Sequence, residues 1–336
     1  WNLDSIRSRG AYSTIENHAP LMTKTRVSPW WSFTANSRSV LAVDAGMKLI
    51  RWTGNLFDRP ETVCELGADI VDLVFSEDGR HAVAVGEAGE IVLWSVDETY
   101  PHPHLIKQQV DTILLKIMVE KGILIAVHRE GNALAFQVID PNNGTVLRTR
   151  EIVRIPVTVP MNSIRLIQIF ADFSSDGRWM SFPNGTGSMQ LIDLKSDDLR
   201  AIPLQNSSDQ IFLSAFSPDN QFVAIAVEPH LSRIYEIPSG KLEFTLKGHL
   251  NGAKTVGFSA DMRRLVTGSS GQEAMKIWDF ENRLDLLTLD GRGAFWSKTR
   301  FSPDGNLLGS MNTTGQIHIW RAPSWEEIEE MEAKQQ

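Results

Sequence analysis

Apolar and polar residues along this chain fall into short runs with the period-2 alternation of strands, not the three-and-four spacing of amphipathic helices. Runs such as Phe222–Val227, Lys241–Leu246 and Leu307–Ser310 are separated by clusters of glycine, proline, serine and aspartate, the residues that turn a chain. One segment recurs: a large apolar residue, a small hydroxyl residue, any residue, then an acid or amide. It begins at Phe33, Phe75, Phe173, Phe216, Phe258 and Phe301, with a degenerate copy at Ile117, and the spacings are 42, 42, 56, 43, 42 and 43 residues. A second marker keeps the same register. An alternating segment ends in a large residue at Trp52, Trp94, Phe136, Ile192, Tyr235, Trp278 and Trp320, 19 residues after its anchor everywhere but the sixth unit, where it is 20. Each unit reads as a strand into the anchor, a type I turn, an apolar second strand, a tight turn, a third strand to the large residue, and a fourth strand. Four strands per unit of roughly 40–45 residues predicts an all-β chain, a seven-bladed β-propeller of four-stranded antiparallel blades.

With those residues in view, the chain resembles the WD40-repeat family. Gly248-His249, then Phe258–Asp261, then Met275–Asp279 is similar to one such repeat, and Ser302–Gly305 with Trp320 to another. The resemblance covers about residues 11–322. It implies a buried hydrogen-bond network in a blade, made by a His after Gly, a Ser or Thr, a turn Asp and a Trp, and so assigns structural roles to His249, Trp52, Trp94, Trp278 and Trp320. The chain departs from the pattern in two ways. A clean Gly-His occurs at 248–249, with Asn17-His18 as a possible second. The Asp expected six residues before each terminal large residue is replaced by Gly46, Ala88, Glu130, Thr186, Pro229, Gln272 and Thr314. Blade packing is then expected to rest on apolar contacts and backbone ladders.

The last unit stops at its third strand. Residues 11–17, which align with Phe244–Lys247 ahead of a His, are expected to supply the missing outer strand, closing one propeller over residues 1–322 and leaving no open edge. Trp1 reads either as the end of a strand in an upstream repeat or as a loop tryptophan. A start at Trp1 without an initiator methionine is expected of a piece of a longer protein. From the third to the fourth unit the connection is enlarged. Asp140–Gly144 is a turn, and the remaining extra residues are expected near Ile152–Arg165. In the tail, 323–336, Ser324 and Glu327 form a capping box, predicting a short helix with Trp325, Ile328 and Met331 on one face. Arg321-Ala-Pro-Ser-Trp325 resembles the ending of WD40 regions in large bacterial signalling proteins, some with a serine/threonine kinase domain.

Composition then narrows the function. A chain of 336 residues suggests two domains by length, but the repeat replaces that prior. Hydrophobic residues at 42% and charged residues at 22% exclude a disordered chain. The net charge of −8 argues against nucleic acid, whose phosphates select basic faces. A single cysteine, Cys64, allows neither an intrachain disulfide nor a multi-cysteine zinc site. No apolar run approaches the roughly 20 residues of a membrane helix. A monomer in the cytoplasm is expected, within a parent that can itself be membrane-attached.

Candidate chemistry is sparse. Among eight histidines the cluster is Pro101–His104, read as a turn without a full metal ligand set. His249 is read as bonding within its blade, and His318, two residues before Trp320, as exposed on an outer face. No nucleophile elbow, phosphate-binding loop or metalloprotease helix is present. Neither cofactor, metal nor catalytic residues are expected. The enlarged connection and its flank carry Arg150, Arg154 and Arg165 on an acidic chain, and Trp30 and Trp296 sit at the top of inner strands, with Trp31 beside Trp30 read as core. Arg and Trp are enriched in binding hot spots. Arg154, Arg165, Trp30 and Trp296 are therefore the candidate partner-binding residues. The reading is a non-enzymatic scaffold for a protein or peptide, with an acidic segment favoured. Two alternatives stay open: a regulatory module of a larger bacterial signalling protein, and an enzyme with a site at the central channel.

Overall fold

Each recurring serine ties its own hairpin. Ser302 Oγ accepts the Leu307 N–H at 2.9 Å and donates to Asp304 Oδ1 at 2.5 Å. Ser259, Ser217 and Ser174 make the same pair of bonds with Arg264 and Asp261, Phe222 and Asp219, and Trp179 and Asp176. Thr34 and Asn36 stand in for Ser and Asp in the first unit. The fourth residue of these turns takes positive φ: Ser37, Gly79, Gly177, Asn220, Met262 and Gly305 at 58–74°. This is a type I turn closed by a left-handed residue, the geometry that keeps hairpin strands in twist.

Two of these carboxylates, Asp261 and Asp304, titrate low. The Ser259 hydroxyl holds Asp261 below the ordinary Asp value against the opposing effect of burial, with help from the Arg263 N–H and the nearby guanidinium groups. Burial pushes Asp304 up, but hydrogen bonds from Ser302, Asn306 and Ser37 outweigh it and leave it low. Folded-state values below the unfolded ones mean stability that is complete above the unfolded pKa and lost as pH falls through the folded one. The urea midpoint should therefore hold from neutrality to about pH 5 and fall below about pH 4. In Asp261→Asn the midpoint should be lower at neutrality and the acid slope shallower. An unchanged slope would count against this origin.

The computed structural model describes residues 12–16, 30–44, 46–54, 57–66, 70–76, 79–86, 88–96, 103–108, 112–118, 122–130, 133–154, 171–183, 189–195, 199–202, 211–227, 231–270, 274–291, 299–312 and 315–321. Its strands form seven four-stranded antiparallel sheets. Blade 1 comprises Trp31–Phe33, Val40–Val43, Lys48–Thr53 and Arg59–Glu65, and blade 2 Ile70–Phe75, His81–Gly86, Glu90–Ser95 and His104–Gln108. Blade 3 is Thr112–Met118, Ile123–Glu130, Ala133–Ile139 and Val146–Arg154; blade 4 is Asp172–Phe173, Trp179–Pro183, Met189–Asp193 and Leu199–Ile202. Blade 5 is Ile211–Phe216, Phe222–Val227, Leu231–Glu236 and Leu242–Lys247; blade 6 is Thr255–Phe258, Arg264–Gly268, Met275–Asp279 and Leu284–Leu289. Blade 7 joins Arg300–Phe301, Leu307–Met311 and Gln316–Arg321 to Tyr12–Glu16 as its outer strand, with Tyr12 opposite Trp320 and Glu16 opposite Gln316. The seven-bladed all-β architecture expected from the repeat is the one observed.

The core is a ring of seams between blades. Seven apolar clusters each join two neighbouring blades. The seam that closes the ring packs Trp31, Phe33, Val40 and Trp52 of blade 1 against Leu307, Met311, Ile317 and Ile319 of blade 7. A Cβ added to Gly309 would come within 2.5 Å of the Trp31 ring, so only glycine lets that indole lie flat on the blade 7 backbone.

Three expectations change. First, the residue of blade 3 that occupies the place of the terminal tryptophans is Ile139, not Phe136. Ile117 lies opposite Leu124 and Leu124 opposite Ile139, as Phe258, Leu265 and Trp278 do in blade 6. Phe136 comes three residues earlier and packs into the seam with blade 4, because the second hairpin of blade 3 is longer than its counterparts. Second, Ile152–Arg154 is not part of a loop: it is the end of the outer strand, and the connection to blade 4 begins only after Arg154. Third, His318 is fully buried. It shares with Trp320 the side of blade 7 that packs against blade 6, its ring stacks on Trp320 at 5.7 Å, and its Nε2 lies 3.3 Å from Asn312 Nδ2. Trp1, His18, Pro101, the tail helix at 323–336, Arg165 and Trp296 lie outside the described residues.

Candidate functional site

Among the described residues, one face of the disc carries the start of the inner strands, the end of the second strands and the start of the third. It is called the upper face here. The Ser-Asp turns lie on the opposite one. Upper-face geometry depends on rung counts. Counting from the rung at the place of the terminal tryptophan, the second and third strands share four rungs in five of the blades and five in blade 5. In blade 3 they share seven, from Leu124–Ile139 to Glu130–Ala133. From that rung up and back, blade 3 has 16 residues, Leu124 to Ile139, where blades 1, 2, 4, 5 and 7 have 13, so its ladder is longer by three rungs and its hairpin stands higher by half of three residues, about 5 Å at ~3.3 Å per residue.

Arg154 belongs to that crest. It ends a nine-residue outer strand and stands opposite Ala133, on the top rung. Arg129 occupies the next rung down, opposite Leu134. His128 lies at the crest's base and is buried. A glycine holds the other end of the same outer strand in place. Gly144 has φ 70° in the Asp140–Thr145 turn, and a Cβ there would sit 1.9 Å from the Ile106 carbonyl of blade 2. Sequence reasoning sought the enlargement entirely in the connection. The signal it passed over was the pair of strand-like runs Ile123–Glu130 and Ala133–Ile139 separated by two residues, which is too long for a four-rung hairpin.

Trp30 opens the inner strand of blade 1, two blades away from Arg154 on the same face. It is half-buried against the seam between blades 1 and 2, and its backbone carbonyl accepts the Val43 N–H at 3.0 Å. Its indole Nε1 is buried with no hydrogen-bond partner. Trp31, 1% exposed, belongs to the closing seam. No described contact joins Trp30 to Arg154.

The terminal tryptophans are packing residues in this structure. Trp52, Trp94, Trp278 and Trp320 are buried. In blade 6 Trp278 also donates its indole N–H to Thr267 Oγ1 at 2.8 Å, and His249 Nε2 lies 2.7 Å from the same oxygen. The hydroxyl accepts from the indole and keeps one proton and one lone pair, so it pairs with His249 Nε2 in either tautomer. The three-membered network stands although Gln272 replaces the acid. In blade 7 the Trp320 N–H goes instead to the Asp290 carbonyl at 3.0 Å.

That network also fixes a loop. His249, the Asn251 amide on the Ser270 carbonyl at 3.2 Å, and the Lys254 N–H on the Gly268 carbonyl at 2.8 Å hold residues 249–254 to blade 6. Leu250 stands between these ties and is 75% exposed on the upper face. A single exposed leucine has no period to announce it, so only burial reveals it. Among the described residues no group of His, Cys, Asp or Glu is arranged to hold a metal ion, and no helix is long and apolar enough to cross a membrane.

Residues 240–279, blade 6 with the strand before it, match the family described as WD domain, G-beta repeat. The chain is 28% identical over 119 residues to the nuclear distribution protein nudF of Aspergillus flavus, covering 35% of this chain and 26% of that protein. It is 26% identical over 138 residues to the uncharacterized WD repeat-containing protein sll1491 of Synechocystis, covering 40% and 38% respectively. A chain in the crystal structure of a mitotic checkpoint complex has the same fold, with a TM-score of 0.67 over 93% of this chain and 91% of that one at 12% identity. The match thus spans 26% to 38% of the length of these curated relatives.

Proposed function

Because the chain is a β-propeller of the WD40-repeat family, we propose that it is a non-catalytic platform whose upper face binds another protein or a peptide. The observation that carries this reading is the blade 3 crest: a hairpin with a ladder three rungs longer than that of the usual blade, flanked on its top rung by Arg154 on a chain of net charge −8. A raised wall beside a flat disc makes a concave seat, and shape of that kind is what a docking surface needs. Arginine on the wall favours an acidic segment, since guanidinium pairs with carboxylate in two parallel hydrogen bonds. Leu250 adds an apolar contact already held in place, which costs little ordering on binding. Trp30 precedes an inner strand on the same face, and Arg165 and Trp296 belong to this proposal on their sequence alone.

The test uses the full chain as bait for proteins from its source, with variants that leave the seams intact. Partners held by the wild type should be lost with Arg154→Glu/Arg165→Glu and weakened by Leu250→Asp. They should be retained with Leu105→Asp, on the outer strand of blade 2. Reversal of the arginines should act mainly on association rate, and its effect should shrink at high salt. Retention of the same partners by both upper-face variants overturns the reading.

A further inference from the structure

An outer strand leaves one row of backbone N–H and C=O groups unpaired, and proteins guard such edges with charge, proline or a cover. Blade 1 does so with Arg59, Pro60, Glu61 and Glu65, all exposed. Blade 5 carries Glu243 and Lys247 on its outer strand, and those of blades 2, 3, 4 and 7 include Lys107, Arg148, Arg200 and Glu16. Blade 6 has a bulge at Leu286 in its outer strand, as the outer strands of blades 1, 2, 3 and 5 have bulges, and that bulge puts Leu284 and Leu289 on one side; it differs from them in charge. Its outer strand reads Leu284, Asp285, Leu286, Leu287, Thr288, Leu289. The one ionic side chain, Asp285, is drawn inward to Lys276 Nζ at 2.9 Å. Leu284 and Leu286 are 59% and 48% exposed, and the sheet ends at this strand.

We infer that this edge pairs with the same edge of a second copy, in antiparallel register about a two-fold axis between Leu286 and Leu287, to give a dimer with one continuous eight-stranded sheet. The strand is complementary to itself in that register. Arg283, the left-handed turn residue just before the strand with its guanidinium over the Phe244 ring, and Asp290, just after it, are both exposed, so this register brings each Arg283 to the Asp290 end of the other copy. Asp285 stands opposite Thr288, a carboxylate facing a hydroxyl. Leu284 stands opposite Leu289, and the faces agree. On the neighbouring strand Leu284 lies opposite Asp279 and Leu289 opposite Met275, four residues apart and so on one side of the sheet. Each exposed Leu284 therefore extends the apolar side that Leu287 and Leu289 already bury. No like charges face each other across the pair, and opposite charges at its two ends fix the register. A sequence with a lysine at any exposed position of this strand would lack this property. A closed isologous pair of this kind is the commonest symmetric assembly.

Sedimentation velocity and light scattering of the full chain over a range of concentrations read the outcome. The wild type should reach twice the chain mass of 37.6 kDa. Leu284→Lys and Leu286→Lys should each return it to the single-chain mass with an unchanged melting temperature, because both side chains are exposed in the single chain. Leu105→Lys, equally exposed on blade 2, should leave the dimer intact. Arg283→Asp and Asp290→Arg should each weaken the dimer, and the double swap should restore it. A wild type that stays monomeric at every concentration overturns the inference. So does a dimer that survives both lysine variants, or a double swap that fails to restore what the single swaps lose.

Discussion

Trp31→Ala should destabilise the chain by about 3–5 kcal/mol, the range for removing a large buried aromatic side chain. Trp31 is 1% exposed and meets Phe33 edge-on at 5.5 Å. It lies in the one seam that joins sequence-distant ends of the propeller, with its ring against Gly309. Loss of that ring removes area from both blades at once and leaves a cavity that cannot collapse, because Gly309 has no side chain to move into it. The Ser37 hydroxyl that accepts the Asp304 N–H at 3.1 Å, and the Arg300–Ser32 contact at 3.5 Å, tie the same two blades, but single hydrogen bonds, worth about 1 kcal/mol each, offset little. Trp31→Phe separates packing from hydrogen bonding. The Trp31 Nε1 is buried with no hydrogen-bond partner, so the phenyl ring gives up no hydrogen bond and removes an unsatisfied donor. Its cost should be clearly smaller than that of alanine. Urea unfolding of both variants checks this. Equal losses would mean that the indole N–H has a partner in solution, and a negligible loss in alanine would mean that the seam does not govern cooperative unfolding.

Thr267→Val is expected to cost on the order of 2–4 kcal/mol, since the buried Trp278 N–H and His249 Nε2 each lose a partner at about 1–3 kcal/mol apiece. Shape is conserved in this substitution and only the hydroxyl goes, so the loss measures the network. Thr267→Ser keeps the hydroxyl and should recover most of the stability. The same change reaches the upper face. His249 holds one end of the loop that presents Leu250, so Thr267→Val should also increase hydrogen exchange of the 249–254 amides, including the Lys254 N–H. Unfolding midpoints together with exchange rates distinguish the two effects. Stability lost without faster exchange would show that Asn251 and Lys254 hold the loop without His249.

Much of the fold is local, and what is local could be read from residues. A serine that binds an N–H five residues on and an acid two residues on completes its turn within one hairpin, so Ser174–Trp179 or Ser302–Leu307 declares itself wherever it occurs. Repetition of that hairpin at intervals of 42 or 43 residues then sets the number of blades, because a four-stranded unit cannot bury both faces alone and must stack on copies of itself. Blade 3 broke the reading because its marker was degenerate. With Ile117 for Phe and no serine after it, the interval to the next large residue looked regular at Phe136, while the rungs place Ile139 there and lift the crest that carries Arg154. The candidate site was legible to the same degree: Arg154 and Trp30 stood out by residue type and position, while Leu250, which has neither, did not.

Composition, the strand period, the turn chemistry and the blade count belong to the sequence by itself, because each rests on interactions between residues close along the chain. Tertiary structure alone decided which surfaces face water and which partners meet across hundreds of residues. His318 is buried because it shares a face with Trp320, the side of blade 7 that packs against blade 6. Gly309 must lack a side chain because Trp31 arrives from the other end of the chain. Leu284 and Leu286 are exposed because blade 6 ends the sheet at their strand. Such facts depend on register and closure, and no local propensity encodes them. A shift of one residue in any ladder would turn every one of these side chains to the opposite face.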